Sequence, residues 1–229
     1  MRILAIIPAR AGSKGVPNKN LLSVGGVPLV GRAIQVGLGA SCRPHIVVST
    51  DSPQIAEYAT RSGVPTPLLR PAELSSDDAT TASVVQYELT RTSEETGQTF
   101  DHILLLQPTA PLRKVSHVDA AMARYSQSGA SSLVSVCDVG GLHPDCMYRQ
   151  NGGFLEKLTP SRPGVRRQNF EPLYIRNGAI YIVSVAHFIQ TGQLVSDNPA
   201  YYQMDRADSI NIDEPIDLSF AEVLIKIDD

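Results

Sequence analysis

The chain has 229 residues, 42% of them apolar and 19% charged, a globular composition that excludes a disordered or fibrous protein and is long enough to bury a core without disulfides or structural metal. Its net charge of −3, without a long Lys/Arg block, disfavours a nucleic-acid-binding face and leaves a small anionic ligand as an option. Cys42, Cys137 and Cys146 lack CxxC spacing, and the apolar Met1–Pro8 is followed at once by Arg10 and Lys14, so a cytoplasmic protein with no disulfide framework, signal sequence or membrane span is expected.

Ile3–Ile7 is a short apolar run stopped by Pro8, the pattern of a strand buried on both faces of a parallel sheet. A helix is expected over Pro28–Leu38, a strand at His45–Ser49, and a helix over Gln54–Arg61 capped by Ser52 or Asp51. Val64–Leu69 reads as a strand, Thr80–Arg91 as a helix, and His102–Leu106 as the most apolar, central strand. A helix over Val115–Ser126 and a strand at Ser131–Val136 continue the rhythm. Alternation of this kind predicts an α/β fold, a doubly wound, mostly parallel Rossmann-like sheet in a single domain over 1–229. The rhythm breaks at Gly140–Pro172, rich in Gly, Pro, Asn and Arg, which reads as an arm. It resumes with a strand at Ile175–Val183, a helix near Val185–Gln190 and a closing helix over Pro215–Lys226.

The most informative stretch is PARAGSKGVPNKNL, Pro8–Leu21. Open α/β sheets bind ligands beyond the carboxyl ends of their strands, which is where this loop falls. Gly12 and Gly15 let the backbone turn and present N–H groups, and Arg10, Lys14 and Lys19 offer cationic donors to phosphate oxygens. The spacing is neither that of a Walker A loop nor GxGxxG, which disfavours a P-loop enzyme and a dehydrogenase.

At this loop the sequence resembles the acylneuraminate cytidylyltransferases (CMP-sialic acid synthetases). STD at Ser49–Asp51, RPAELSSDDATTAS at Arg70–Ser83, LLLQPTAPLR at Leu104–Arg113, RNGAIYI at Arg176–Ile182 and DSINIDEPIDL at Asp208–Leu218 follow the family's order, covering nearly the whole chain. The resemblance implies a nucleotidyltransferase that moves CMP from CTP to a nonulosonic acid, releases pyrophosphate and uses Mg²⁺. It also implies a homodimer built through the arm at 140–172.

Carried over by position, Arg10 and Lys19 would hold the triphosphate, Ser13 and Asn20 would lie against the nucleotide, Arg70 would contact its base and Thr81 its nucleoside. Gln107, at the end of the central strand, would contact the acceptor sugar. Arg167 would hold the acceptor's carboxylate across the dimer; a guanidinium is a planar, bidentate partner for one. Arg10, Lys19 and Asp213 would take part in catalysis, Asp213 as a Mg²⁺ ligand and Asn211 as a second one through its neutral oxygen. Asn211 stands where the family reads Asp, and Asp145–Cys146 where sialic acid enzymes have a Lys, so metal binding and the acceptor pocket depart from theirs. Asp213 could also cap the last helix. His143 and Cys137 are expected to be structural. Other sugar acids or phosphonates as acceptor, GTP as donor, and a weakly catalytic nucleotide-binding protein are the alternatives.

Overall fold

The computed structural model describes residues 1–12, 15–66, 68–159 and 170–228. Strand β1 (Ile3–Pro8) is followed by a hairpin, β2 (Ser23–Val24) and β3 (Val27–Pro28), whose turn places Gly25 and Gly26 at φ 57° and 73°. Two successive positive φ values are the type I′ geometry that glycine adopts without steric cost. Helix α1 (Leu29–Gly39), β4 (His45–Ser49) and α2 (Pro53–Arg61) come next. Ser52 caps α2, its Oγ accepting from Ile55 N at 3.3 Å, with Pro53 in the first turn where its missing N–H costs nothing.

The strand expected at Val64–Leu69 does not form among its described residues. Pro65 and Pro67 each remove a ladder donor, and the segment instead closes α2 through Val64 N to Ala59 O at 2.9 Å. Helix α3 (Thr81–Thr96) runs further than the sequence pattern suggests. Arg91 bridges Glu88 and Glu95 one turn either side, at 2.6 and 2.8 Å, and supports the extra turn.

Strand β5 (His102–Leu105), α4 (Val115–Ser128) and β6 (Ser132–Asp138) follow. The arm carries an exposed hairpin of β7 (Tyr148–Asn151) and β8 (Phe154–Lys157). The chain ends with β9 (Tyr174–Ser184), α5 (Val185–Thr191), β10 (Ala200–Gln203) and α6 (Pro215–Asp228). His143 is buried and structural: its Nδ1 accepts from Asp145 N at 3.1 Å, its ring lies 4.7 Å from that of Phe170, and its Nε2 lies 3.2 Å from Glu171 O. Cys137 is buried in β6.

The six-stranded sheet has the order β10-β6-β9-β5-β1-β4. β1 pairs in parallel with β4 and β5, and β10 with β6, whereas β9 is antiparallel to both neighbours. The mostly parallel sheet is therefore present, with one reversed strand inside it. Ala5 and Ile7 face α1 and α4, packing with Ala33, Ile34, Val118 and Ala121. Leu4 and Ile6 face the other way, onto Val85 and Leu89 of α3 and Phe188 of α5. Burial on both faces explains why β1 reads as an unbroken apolar run. A smaller cluster of Val24, Leu29, Ile212 and Ala221 presses α6 onto the β2–β3 hairpin, which carries residues 211–213 to the loop after β1.

Candidate active site

The carboxyl ends of β1 and β5 open into a cleft of about 280 Å³. Its floor is fixed by the main chain after β1: Ala9 N donates to Ser49 O at 2.8 Å, Ala11 N to Asp51 Oδ1 at 2.7 Å, and the buried Asn20 gives its Nδ2 to Arg10 O at 2.9 Å. With its backbone held, Arg10 sends its guanidinium across the cleft to the segment after Arg70. Nη1 donates to Ser76 O at 3.1 Å, and Nη2 lies 2.9 Å from Asp77 Oδ1.

Lys19 points toward the start of α6, donating Nζ to Ile212 O at 2.7 Å and lying 3.4 Å from Asp213 Oδ1. Gly15 allows this approach, since a Cβ there would overlap the carbonyl oxygen of Asp213. Asp213 does not cap α6. Asp217 does so instead, its Oδ2 accepting from the N–H groups of Asp213 and Glu214 at 2.9 and 2.7 Å. The Asp213 carboxylate is thereby left exposed at the cleft mouth, with Oδ2 accepting from Asn211 Nδ2 at 2.6 Å.

On the opposite wall Arg70 is buried, tethered by its N–H to Thr50 O at 2.7 Å and by Nε to Ser75 Oγ at 3.2 Å. Its Nη2 is sealed from solvent and has no hydrogen-bond partner among the described residues. Burial pushes the guanidinium's pKa down, with Asp51 and Glu88 acting the other way. A buried donor without an acceptor is costly and marks a place for a ligand acceptor. Thr81 begins α3 on this wall, and Gln107 enters from the end of β5. Gln107 is positioned by the buried Arg113, whose Nη1 bridges Gln107 O at 3.1 Å and Ala179 O at 2.6 Å. Burial lowers the pKa of Arg113 to about 9, which still leaves it a cation at neutral pH.

Arg10, Lys19, Asn20, Arg70, Thr81 and Gln107 thus line one cleft, and Asp213 joins it through Lys19. Asn211 lines a neighbouring cleft that shares Gln107. Ser13 and Arg167 lie outside the described residues. Asp77 has no role in the sequence reading and Asp51 only that of a possible helix cap, although both lie in the quoted motifs. Their part, pairing Arg10 and shaping its loop, depends on contacts between distant segments that no local pattern reveals.

The donor set at the cleft mouth suits Mg²⁺, which takes one or two carboxylates and completes its octahedron with water and phosphate oxygens. Asp213 offers an exposed carboxylate beside the cationic loop. Asn211 fits less well: its buried Oδ1 has no partner among the described residues but is a neutral donor, and its amide N–H is committed to Asp213.

A family model described as Cytidylyltransferase matches residues 4–144. The chain is 36% identical to CMP-N,N'-diacetyllegionaminic acid synthase of Legionella pneumophila over 99% of its own length and 97% of the relative's. It is 34% identical to N-acylneuraminate cytidylyltransferase of Streptococcus agalactiae over 93% of its length, spanning 51% of that longer protein. Pseudaminic acid cytidylyltransferase of Campylobacter jejuni is 27% identical, with 99% and 97% covered. Among solved structures, CMP:2-keto-3-deoxy-manno-octonic acid synthetase complexed with CTP superposes with a TM-score of 0.71 at 14% identity, each chain covered in full. For 4-diphosphocytidyl-2C-methyl-D-erythritol synthase the TM-score is 0.70, also at 14% identity, with 98% of each chain covered.

Proposed function

Because the chain belongs to the cytidylyltransferase family, we propose that it transfers CMP from CTP to a nonulosonic acid. The observation that carries this reading is the convergence of Arg10, Lys19, Asn20, Arg70, Thr81 and Gln107 on a single cleft at the strand ends, in a chain matched end to end by a nonulosonate-activating relative. The acceptor's anomeric hydroxyl oxygen forms a bond to the α-phosphorus, the bond from that phosphorus to the bridging oxygen breaks, and pyrophosphate leaves with the electron pair. The hydroxyl proton passes to water. Arg10 and Lys19 hold the phosphates and oppose the negative charge that builds on them. Bound through Asp213, Mg²⁺ would supply Lewis-acid charge neutralisation.

Arg70 suits a cytosine, whose N3 and O2 are both acceptors for the unpartnered Nη2; uracil keeps O2 but turns an N3–H donor toward the guanidinium in place of the N3 acceptor. A pyrophosphate-release assay crossing the four nucleoside triphosphates with N,N'-diacetyllegionaminic, pseudaminic and N-acetylneuraminic acids tests the reading. CTP is expected to be used about 100-fold better than any other nucleotide, the scale set by a buried donor left unpaired with the wrong partner. Preference for GTP would overturn it.

We also place the working enzyme in the cytoplasm, where CTP is available, and propose that it is a homodimer. Among the described residues the β7–β8 hairpin is exposed along both strands, with Phe154 and Leu155 at 80% and 71% exposure. Burying such residues against a second copy is favourable. Light scattering is expected to give twice the chain mass, and Phe154→Asp with Leu155→Asp to shift it toward the monomer. A wild-type monomer at assay concentration would refute the dimer.

A further inference from the structure

Arg113, in the turn between β5 and α4, holds the end of β5 with only one side of its guanidinium. Nη1 takes both carbonyls there, Gln107 O at 3.1 Å and Ala179 O of β9 at 2.6 Å. The other edge, formed by Nε and Nη2, makes no hydrogen bond or ion pair among the described residues, and Nε is sealed from solvent. The residue is 4% exposed. Burial is the sole cause that lowers its pKa, and no carboxylate among the described residues offsets it, so a cation without a counter-charge lies inside the fold. Such a charge is costly until an anion meets it. The Nε and Nη2 N–H bonds run parallel, at the spacing of the two oxygens of a carboxylate.

The same side chain lines a cleft of about 290 Å³ that shares no lining residue with the nucleotide cleft. It lies between the turn after β5, the segment after β10, and α6. One wall is apolar, with Pro111 and Leu112 from the turn and Leu224, Ile225 and Ile227 from α6. The charged groups around it other than Arg113 are engaged or exposed. Arg32 donates Nε to Val24 O at 2.7 Å, Lys114 lies 3.2 Å from Asp208 Oδ1, and His117 Nε2 lies 3.5 Å from Asp208 Oδ2. Asp205 is exposed at the rim. The cleft therefore combines a bidentate donor edge, a hydrocarbon wall and two nearby carboxylates that repel polyanions.

We propose that this cleft is a second ligand site, separate from the CMP-transfer site, for a small organic acid with one carboxylate and an aliphatic body. The carboxylate accepts from Nε and Nη2 of Arg113, and the hydrocarbon lies against α6. Asp205 and Asp208 select a single negative charge, which sets this site apart from the cationic loop that faces phosphates.

The test uses the full chain with CTP and Mg²⁺ present, so that the phosphate-binding cleft is filled. The probe is 4-methylpentanoate, beside 4-methylpentanamide and inorganic phosphate at matched ionic strength. The acid is expected to raise the melting temperature saturably, by about 3–5 °C at about ten times its Kd, and the amide and phosphate to give no saturable shift. Arg113→Lys keeps a charge without the fork and is expected to weaken the acid's Kd about 10-fold. Because Arg113 also ties β5 to β9, that change carries a folding cost, and Leu224→Trp provides the second variant. It fills the cleft from α6 with Arg113 in place, and is expected to abolish the acid's shift while CTP still stabilises the protein. No saturable shift in the wild type, an equal shift from the amide or phosphate, or an undiminished shift in Leu224→Trp would overturn the site. Competition between 4-methylpentanoate and the sugar acid in the pyrophosphate-release assay would overturn it too, by placing the probe in the catalytic cleft.

Discussion

Arg10→Ala is expected to lower turnover about 100-fold, the scale of losing one preorganised donor to the transferring phosphate, with almost no change in melting temperature. The two halves of that expectation come from different features of the same side chain. Its function follows from place: the backbone at Arg10 is held from below by Asn20 and its guanidinium crosses the nucleotide cleft. Its small structural weight follows from exposure, since the Arg10–Asp77 pair has side chains 33% and 44% exposed, and solvent-exposed pairs contribute about 0–1 kcal/mol. Turnover by pyrophosphate release and a thermal melt on the same preparation separate the two. Near-normal turnover would remove Arg10 from the phosphate site, and a large loss of melting temperature would make it structural.

The contrast between Arg10 and Arg70 shows what could be read without the fold. Arg10 follows an apolar strand ended by Pro8, within a loop of glycines and cations, so its chemistry and its place both lie in one short stretch. Arg70 precedes a Pro in a segment that looks like the end of a strand, and unaided it reads as surface charge; only the packing of Thr50, Ser75 and α3 around it shows a buried guanidinium with one unpartnered nitrogen. The strand rhythm was legible because burial on both faces leaves an apolar run. Direction was not legible. Nothing in NGAIYI distinguishes a parallel from an antiparallel neighbour, yet the reversal of β9 carries Arg176 past the end of β5. Expecting a strand at Val64–Leu69 gave hydrophobicity more weight than two prolines allow.

Asp213→Ala should be nearly as damaging to turnover as Arg10→Ala, again about 100-fold where a metal's charge stabilisation is lost, and should raise the Mg²⁺ concentration needed for half-maximal rate. Its side chain is 69% exposed and does not cap α6, so folding should be spared. The informative companion is Asn211→Asp. In the wild type the neutral amide donates to one oxygen of Asp213 at 2.6 Å while Lys19 lies 3.4 Å from the other, so the carboxylate is held in place without a metal. A second carboxylate there would set two like charges in contact, disfavouring the ionised pair until a cation or proton neutralises it. Asn211→Asp is therefore expected to melt lower than wild type without metal at neutral pH and to gain several degrees on adding Mg²⁺, while the wild type gains less. This readout is independent of turnover. Equal Mg²⁺ responses in the melts of Asn211→Asp, wild type and Asp213→Ala would place the metal elsewhere. A response confined to the proteins that keep Asp213 would locate it at that carboxylate and assign Asn211 the role of holding Asp213 ready for a metal that arrives with the triphosphate.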